Sequence, residues 1–298
     1  MSRWLALLLL PLLAACEEAD TADAPGAVAE PCNGRSELCD LRFDQVAYAT
    51  SHNAMSSRAA RWIAPNQEVG ITAQFELGVR ALMLDSYDFT GKAMLCHGAC
   101  SLGRQPLVDG LGEVKAFLDA HPREVVSIIF ESYLSAEKTA AAFDEAGLLL
   151  MLYTHAAGQP FATLGELVEA NTRLFVVTDS DGGSYPWYHD VWAKSWETDF
   201  SNATLDDFSC APNRGRPGNA LFILNRFLTS PVAYRDLAVQ ANASPSFLSF
   251  AEQCWAEGDQ IPNFVTVDFV DEGALFEVVD ALNDRAIRGA VPEGSAGP

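Results

Sequence analysis

The sequence predicts an α/β fold, a (β/α) barrel in a single domain, and three observations carry that expectation. Apolar β-branched runs recur at about 46–51, 79–87, 93–97, 124–132, 173–179, 220–225 and 263–269. They are too continuously apolar for half-exposed strands and fit a parallel sheet covered on both faces. Amphipathic helical patterns at about 68–77, 111–121, 137–147, 164–171 and 274–285 separate many of them. Seven or so such units suit a barrel better than an open doubly wound sheet, and no GxGxxG turn follows an early strand.

Ahead of the first strand, "MSRWLALLLLPLLAAC" places Arg3 before an apolar run at 4–13 and small residues ending at Cys16. The run is too short to span a bilayer and suits a signal peptide over 1–15. "LAAC" resembles the bacterial lipobox, which implies a diacylated Cys16 at the mature N-terminus and an exported lipoprotein of the bacterial cell envelope. An ordinary signal peptide is the alternative. Residues 16–31 are acidic and rich in Ala and Pro and read as a flexible tether. The globular domain is expected over 32–287, followed by a disordered tail over 288–298.

The chain has 298 residues, 49% hydrophobic and 20% charged, which is globular composition without a second linker or an internal repeat. With 19 Lys and Arg against 40 Asp and Glu, the net charge of -21 excludes extended contact with nucleic acid. It also disfavours electrostatic adhesion to anionic lipid. Without Cys16, the seven cysteines leave six, in sequence Cys32 and Cys39, Cys96 and Cys100, Cys210 and Cys254. An even set in an exported chain implies disulfides, with neighbours paired as the simplest arrangement. Zinc is the competitor, but no CxxC spacing occurs.

The strand ends carry the chemistry. The first closes on His52 and Asn53, the second on Asp85 with Tyr87 and Asp88, the third on Cys96-His97-Gly98. Glu131, Asp179, Asn225-Arg226 and Asp268 close the next four. In a barrel these ends converge on one face, where such enzymes hold their active sites. Two histidines on different strands can act as base and acid. Asn53, Asp85 and Glu131 are hard oxygen donors of the kind calcium or magnesium takes. A cation beside two histidines suits phosphodiester cleavage, in which charge builds on nonbridging oxygens.

"SHNA", "GVRALMLDSYDF", "LCHG", "VSIIFES" and "NFVTVDF" together resemble the X-domain of phosphatidylinositol-specific phospholipases C, across about residues 44–285. The resemblance implies a distorted (β/α)8 TIM barrel and a phospholipid or related phosphodiester substrate. It matches His52 to the histidine that deprotonates the inositol 2-hydroxyl, and His97 to the one that protonates the departing diacylglycerol oxygen. Asp268 matches the aspartate that orients the first histidine; Asn53, Asp85 and Glu131 match calcium ligands of the metal-dependent branch. Calcium is therefore the expected cofactor, with magnesium the alternative. Metal-independent bacterial members carry an arginine where this chain has Asp85. Met83 stands where the calcium branch has a further acidic ligand, and Asp88 is a candidate to replace it.

Arg226 is the one cation at a strand end on the site side, so it and Asn225 are the expected substrate contacts. Arg80, at the start of its strand, reads as structural, and His121 as a helix-terminal surface residue. His155 and His189 have no evident partners, "TDSDGG" (178–183) reads as a turn, and Tyr185, Pro186, Trp187, Tyr188 and Trp192 form an aromatic loop that packs over the barrel rim or, alternatively, contacts lipid or the inositol ring face. The leading expectation is a monomeric, lipid-anchored phospholipase C-like phosphodiesterase. A noncatalytic binding lipoprotein that keeps the barrel is the alternative. A glycosidase would leave both histidines idle, and no GxSxG elbow supports a serine hydrolase.

Overall fold

The computed structural model describes Met1, residues 30–229 and residues 232–290. The expected leader, Cys16 and most of the tether lie outside the described residues, as does the tail from 291. In chain order the strands are β1 (Tyr48–Ser51), β2 (Ala81–Phe89), β3 (Lys92–Cys96), β4 (Arg104–Pro106), β5 (Val126–Tyr133) and β6 (Leu174–Thr178). They continue with β7 (Tyr188–Asp190), β8 (Ser195–Thr198), β9 (Pro212–Gly215), β10 (Leu221–Asn225) and β11 (Phe264–Val267). The helices are α1 (Ile71–Leu77), α2 (Leu107–Ala120), α3 (Ala136–Glu145), α4 (Leu164–Glu169), α5 (Val191–Lys194), α6 (Arg235–Ala241), α7 (Ser246–Gly258) and α8 (Leu275–Ile287).

Eight strands run parallel in the order β7-β6-β5-β2-β1-β11-β10-β8, and the sheet curls into a barrel. Its wall is distorted, because β7 and β8 are not hydrogen-bonded to each other; the four-residue α5 links them in the chain. Side chains alternate along each strand. Ala49, Leu82, Ile128, Val176, Phe222 and Val265 share one buried cluster with Leu111, Val114 and Leu275 of the outer helices. Their neighbours Tyr48, Ile129, Phe175, Ile223 and Phe264 form a second cluster with Phe43 and Phe161. Phe43 stacks on Tyr48 at 4.9 Å and plugs the N-terminal end of the barrel. Two residues further along the same inward faces the side chains turn polar: Asp85 follows Met83, Glu131 follows Ile129, Asn225 follows Ile223.

Local signals explain the helix starts. Ser135 accepts the Lys138 N–H at the head of α3, and Thr163 and Glu166 form a reciprocal capping box on α4. All three disulfides join neighbours: Cys32–Cys39, Cys96–Cys100 and Cys210–Cys254.

Two departures from the sequence reading bear on the site. Residues 93–97 are not a barrel stave. They are the return arm of an antiparallel hairpin, with Ser86 facing Leu95 and Tyr87 facing Met94, so β2 projects beyond the sheet and folds back. The aromatic loop at 185–192 instead contributes β7 and α5, and the stretch to 215 adds β8 and β9. These strands are three or four residues long, and β8 buries Ser195, Glu197 and Thr198, so no apolar run announced them. Among the described residues, no helix is long and apolar enough to cross a membrane.

Candidate active site

A cavity of about 500 Å³ opens at the C-terminal ends of the parallel strands. Alternation along β2 and β5 turns Met83, Asp85, Tyr87, Ile129, Glu131 and Tyr133 into it. Asp85 and Glu131 are register partners on adjacent parallel strands, so two carboxylates stand side by side.

The chain leaves β1 through His52 into Asn53, whose backbone is left-handed at φ 46°, a conformation asparagine tolerates better than most residues. His52 Nδ1 lies 2.8 Å from Asp268 Oδ1, at the end of β11, and its Nε2 lies 3.1 Å from Asn53 Nδ2. A carboxylate can only accept, so Nδ1 carries the proton and Nε2 accepts from the carboxamide; this tautomer is assigned from the network. Asn66 donates to the same Asp268 oxygen at 2.9 Å, while Asp268 Oδ2 is buried with no partner. The imidazole also stacks on Phe227, ring centres 3.8 Å apart and 12° from parallel.

The second histidine is held differently. The hairpin returns His97 to β2, where its Nδ1 lies 3.0 Å from Asp85 Oδ2. The Asp85 hydrogen bond and charge lift the His97 pKa above the usual imidazole range, against the opposing effect of burial. Burial, opposed by the His97 hydrogen bond and reinforced by Glu131, raises the Asp85 carboxyl. Tyr133 donates to Glu131 at 2.5 Å and stacks on Tyr87 at 4.6 Å. Burial beside Asp85 and Glu131 pushes the Tyr87 phenol up to about 12. Asp179 accepts the Ser132 N–H, and burial raises its carboxyl as well.

Asn53, Asp85 and Glu131 face the cavity as expected, and each has one polar atom engaged: Asn53 Nδ2 by His52, Asp85 Oδ2 by His97, Glu131 Oε1 by Tyr133. The remaining oxygens are the hard donors a divalent cation takes, so the residues fit such an ion in type. Among the described residues, no three His, Cys, Asp or Glu side chains cluster as a metal site, so Asn53 would be the third ligand. Asp88 does not replace the acidic ligand missing at Met83. It sits out on the hairpin, paired with Lys138 at 2.5 Å.

Arg226 is not at the site. It is 4% exposed, its Nε donates to Ala241 O, and its guanidinium lies 4.0 Å over the Phe208 ring and 4.8 Å over Phe250. Alternation is the reason: Asn225 turns into the cavity, so its neighbour turns out. Arg214 lines the cavity instead. It is the one arginine or lysine among the described residues lining the cavity, ion-paired with buried Glu197 and set over the Trp192 and Phe200 rings. Asn225 donates to Glu197 at 3.1 Å and so belongs to this group. The sequence reading missed Arg214 and Glu197; "NRGRPG" has no apolar run to mark a strand, and a lone glutamate in "SWET" carries no signal of burial. His155 and His189 lie away from the cavity, each against a phenylalanine ring, Phe161 and Phe175.

The PI-PLC X 1 family model matches residues 38–283. The chain belongs to the PI-PLC X family. A PI-PLC X domain-containing protein of Arabidopsis thaliana is 31% identical, over 84% of this chain and 64% of that protein. The chain thus spans less than two thirds of that relative. PI-PLC X domain-containing protein 1 of Arthroderma benhamiae is 28% identical over 94% of this chain and 96% of that protein. An uncharacterized secreted protein of the same fungus is 26% identical over 87% and 65%. Among solved structures, the phosphatidylinositol-specific phospholipase C of Listeria monocytogenes has a TM-score of 0.58 at 13% identity, covering 83% of this chain and 97% of that one. A Staphylococcus aureus enzyme of the same description reaches 0.60 at 14%, covering 82% and 96%. These likenesses show the fold, a distorted PI-PLC-type barrel. The curated relatives overturn the expected bacterial cell-envelope lipoprotein: they come from a plant and a fungus, which points to a eukaryotic origin.

Proposed function

We propose that this chain is a phosphoric diester hydrolase of the phospholipase C type, acting on a phosphoinositide or a related phospholipid phosphodiester by two-histidine acid–base catalysis. The observation that carries the reading is the pair of histidines at one cavity, each with Nδ1 turned to a carboxylate: His52 to Asp268 and His97 to Asp85. His52, once the Asn53 carboxamide that donates to its Nε2 has turned aside, takes at that nitrogen the proton of the substrate hydroxyl that attacks phosphorus. Asp268 steadies the imidazolium that forms. His97, whose raised pKa keeps it protonated further toward neutrality, gives its proton to the departing alkoxide. Arg214 is the cation positioned to meet an anionic substrate.

Asp85, Glu131 and Asp179 bring negative charge toward a substrate that is itself negative. Two like charges ~4 Å apart at an effective dielectric of ~20 repel by about 4 kcal/mol. Asn53, Asp85 and Glu131 would hold a calcium or magnesium ion. When bound, the ion supplies positive charge for the nonbridging oxygens and acidifies a hydroxyl.

The test is an assay of purified protein on phosphatidylinositol, lysophospholipids and glycerophosphodiesters, with calcium, magnesium or EDTA. Turnover that His52→Ala abolishes supports the reading. Wild-type protein inert on all three classes in every condition overturns it.

A further inference from the structure

We infer that the Cys96–Cys100 disulfide is a positioning element for the general acid, closing the loop Cys96-His97-Gly98-Ala99-Cys100 so that the His97 imidazole stays on Asp85. The inference rests on the two-histidine reading above and adds what keeps the second histidine in place.

The two histidines are secured unequally. His52 is held by Asp268, by Asn53 and by the Phe227 ring. His97 has one side-chain hydrogen bond among the described residues, to Asp85, and its side chain is 44% exposed. His97, Gly98 and Ala99 are all exposed, but they are bracketed by two buried sulfurs, Cys96 at 0% and Cys100 at 7%. Cys96 is the last residue of β3 and pairs with Arg104 of β4. Arg104 in turn donates to the Cys100 carbonyl at 3.0 Å, so both ends of the loop are tied to the hairpin. Cys96 and Cys100 pack with Met94 beneath Tyr87, itself a wall of the cavity. Gly98 turns the loop at φ 63°, where a β-carbon would be strained.

The span of the crosslink says what it is for. A disulfide stabilises a fold by restricting the unfolded chain, and the effect grows with the loop it closes. Cys210–Cys254 spans 44 residues and Cys96–Cys100 only 4, so the short one has the least to give to global stability. Its effect is local: it limits the backbone paths that could carry His97 away from the leaving group. Misplacement of a catalytic group by ~1 Å costs on the order of 10²-fold in rate.

The test compares wild type, Cys96→Ala/Cys100→Ala, and both again in a His97→Ala background. The substrates are phosphatidylinositol in phosphatidylcholine vesicles and a nitrophenyl ester of inositol phosphate, whose leaving group needs little protonation. Without the disulfide, kcat on the lipid should fall about 10- to 100-fold with KM within about twofold, and nitrophenyl turnover should stay within about threefold. In the His97→Ala background the cysteine substitutions should cost nothing further. Cys32→Ala/Cys39→Ala, which removes a remote disulfide, should show no leaving-group dependence. If the cysteine variant fails to fold, a Gly-Gly insertion between Gly98 and Ala99 keeps the crosslink, lengthens the loop and should give the same pattern. Equal losses on both substrates, or a further loss in the His97→Ala background, would overturn the inference while leaving the phosphodiesterase reading intact. An inactive wild type would end both.

Discussion

Asp268→Asn isolates the charge behind His52. Asp268 Oδ1 is fixed from two sides, by His52 Nδ1 at 2.8 Å and Asn66 Nδ2 at 2.9 Å, while Oδ2 is buried and unpartnered. Both neighbours donate to Oδ1, so the new carboxamide must keep its oxygen there and place its NH2 at the Oδ2 position. The histidine tautomer is then preserved and only the negative charge is lost. A hydrogen bond to a charged group contributes ~1.5–3 kcal/mol, and each ~1.4 kcal/mol is a factor of ten. The expected loss in kcat is therefore roughly 10- to 150-fold. KM should be unchanged, because Asp268 sits behind His52 and does not line the cavity. The buried orphan NH2 should also lower Tm by a few degrees. Steady-state kinetics on phosphatidylinositol vesicles reads the rate. A loss under about threefold would refute the role of Asp268; a loss near ~10⁴ would mean the amide turns and flips the tautomer. Asn66→Ala/Asp268→Asn, which frees that rotation, should move toward the larger figure.

EDTA should abolish turnover and calcium restore it, with Asp85→Asn raising the calcium needed more than about tenfold; full activity in EDTA would refute the calcium reading. Arg214→Met should raise KM about tenfold, the scale of one lost charged contact, whereas Arg226→Met should leave kinetics alone and lower Tm. The opposite pattern would return Arg226 to the site. Burial, with Lys194 nearby, holds His189 down to about 4 against an ordinary 6.5. The unfolded chain therefore binds the extra proton between those values, so stability falls as pH drops from about 6.5 to 4 and levels off below. His189→Phe should flatten that part of the Tm–pH curve, and an unchanged curve would refute the assignment.

How much of this was legible follows from what each residue advertises. His52, Asn53, Asp85 and Glu131 end long apolar strands, so period-two alternation puts a polar group at a predictable depth. The same alternation turns Asn225 into the cavity and should have turned Arg226 outward, yet adjacency in sequence suggested a pair. Glu197 and Arg214 were invisible for another reason. They complete each other across β8 and β9, and neither short strand has a pattern of its own. His97 reaches the cavity by another geometry than the expected one, because a hairpin arm and a barrel stave are equally apolar over five residues. The oxygen donors Asn53, Asp85 and Glu131 were readable as residue types, whereas the Tyr133 hydroxyl on Glu131 depends on β5 extending past the glutamate.

The hairpin that returns His97 also sets the kind of sequence change this site can survive. Most barrel staves are hydrogen-bonded to a neighbour on each side, but β3 is hydrogen-bonded to the barrel wall only through β2. Its alignment is therefore counted out by the turn between Phe89 and Lys92. Gaining or losing one residue there would slide the arm by one position and invert which face each side chain presents. His97 would leave Asp85 while every stave stayed where it was. An insertion at this exposed turn would also turn Leu95 out of the main core and break the pairing of Cys96 with Arg104, so it would cost stability as well as chemistry. On the two-histidine reading, a chain altered there would keep the base and lose the acid, so the length of this turn is a mark by which barrels with and without the second histidine at the cavity can be told apart.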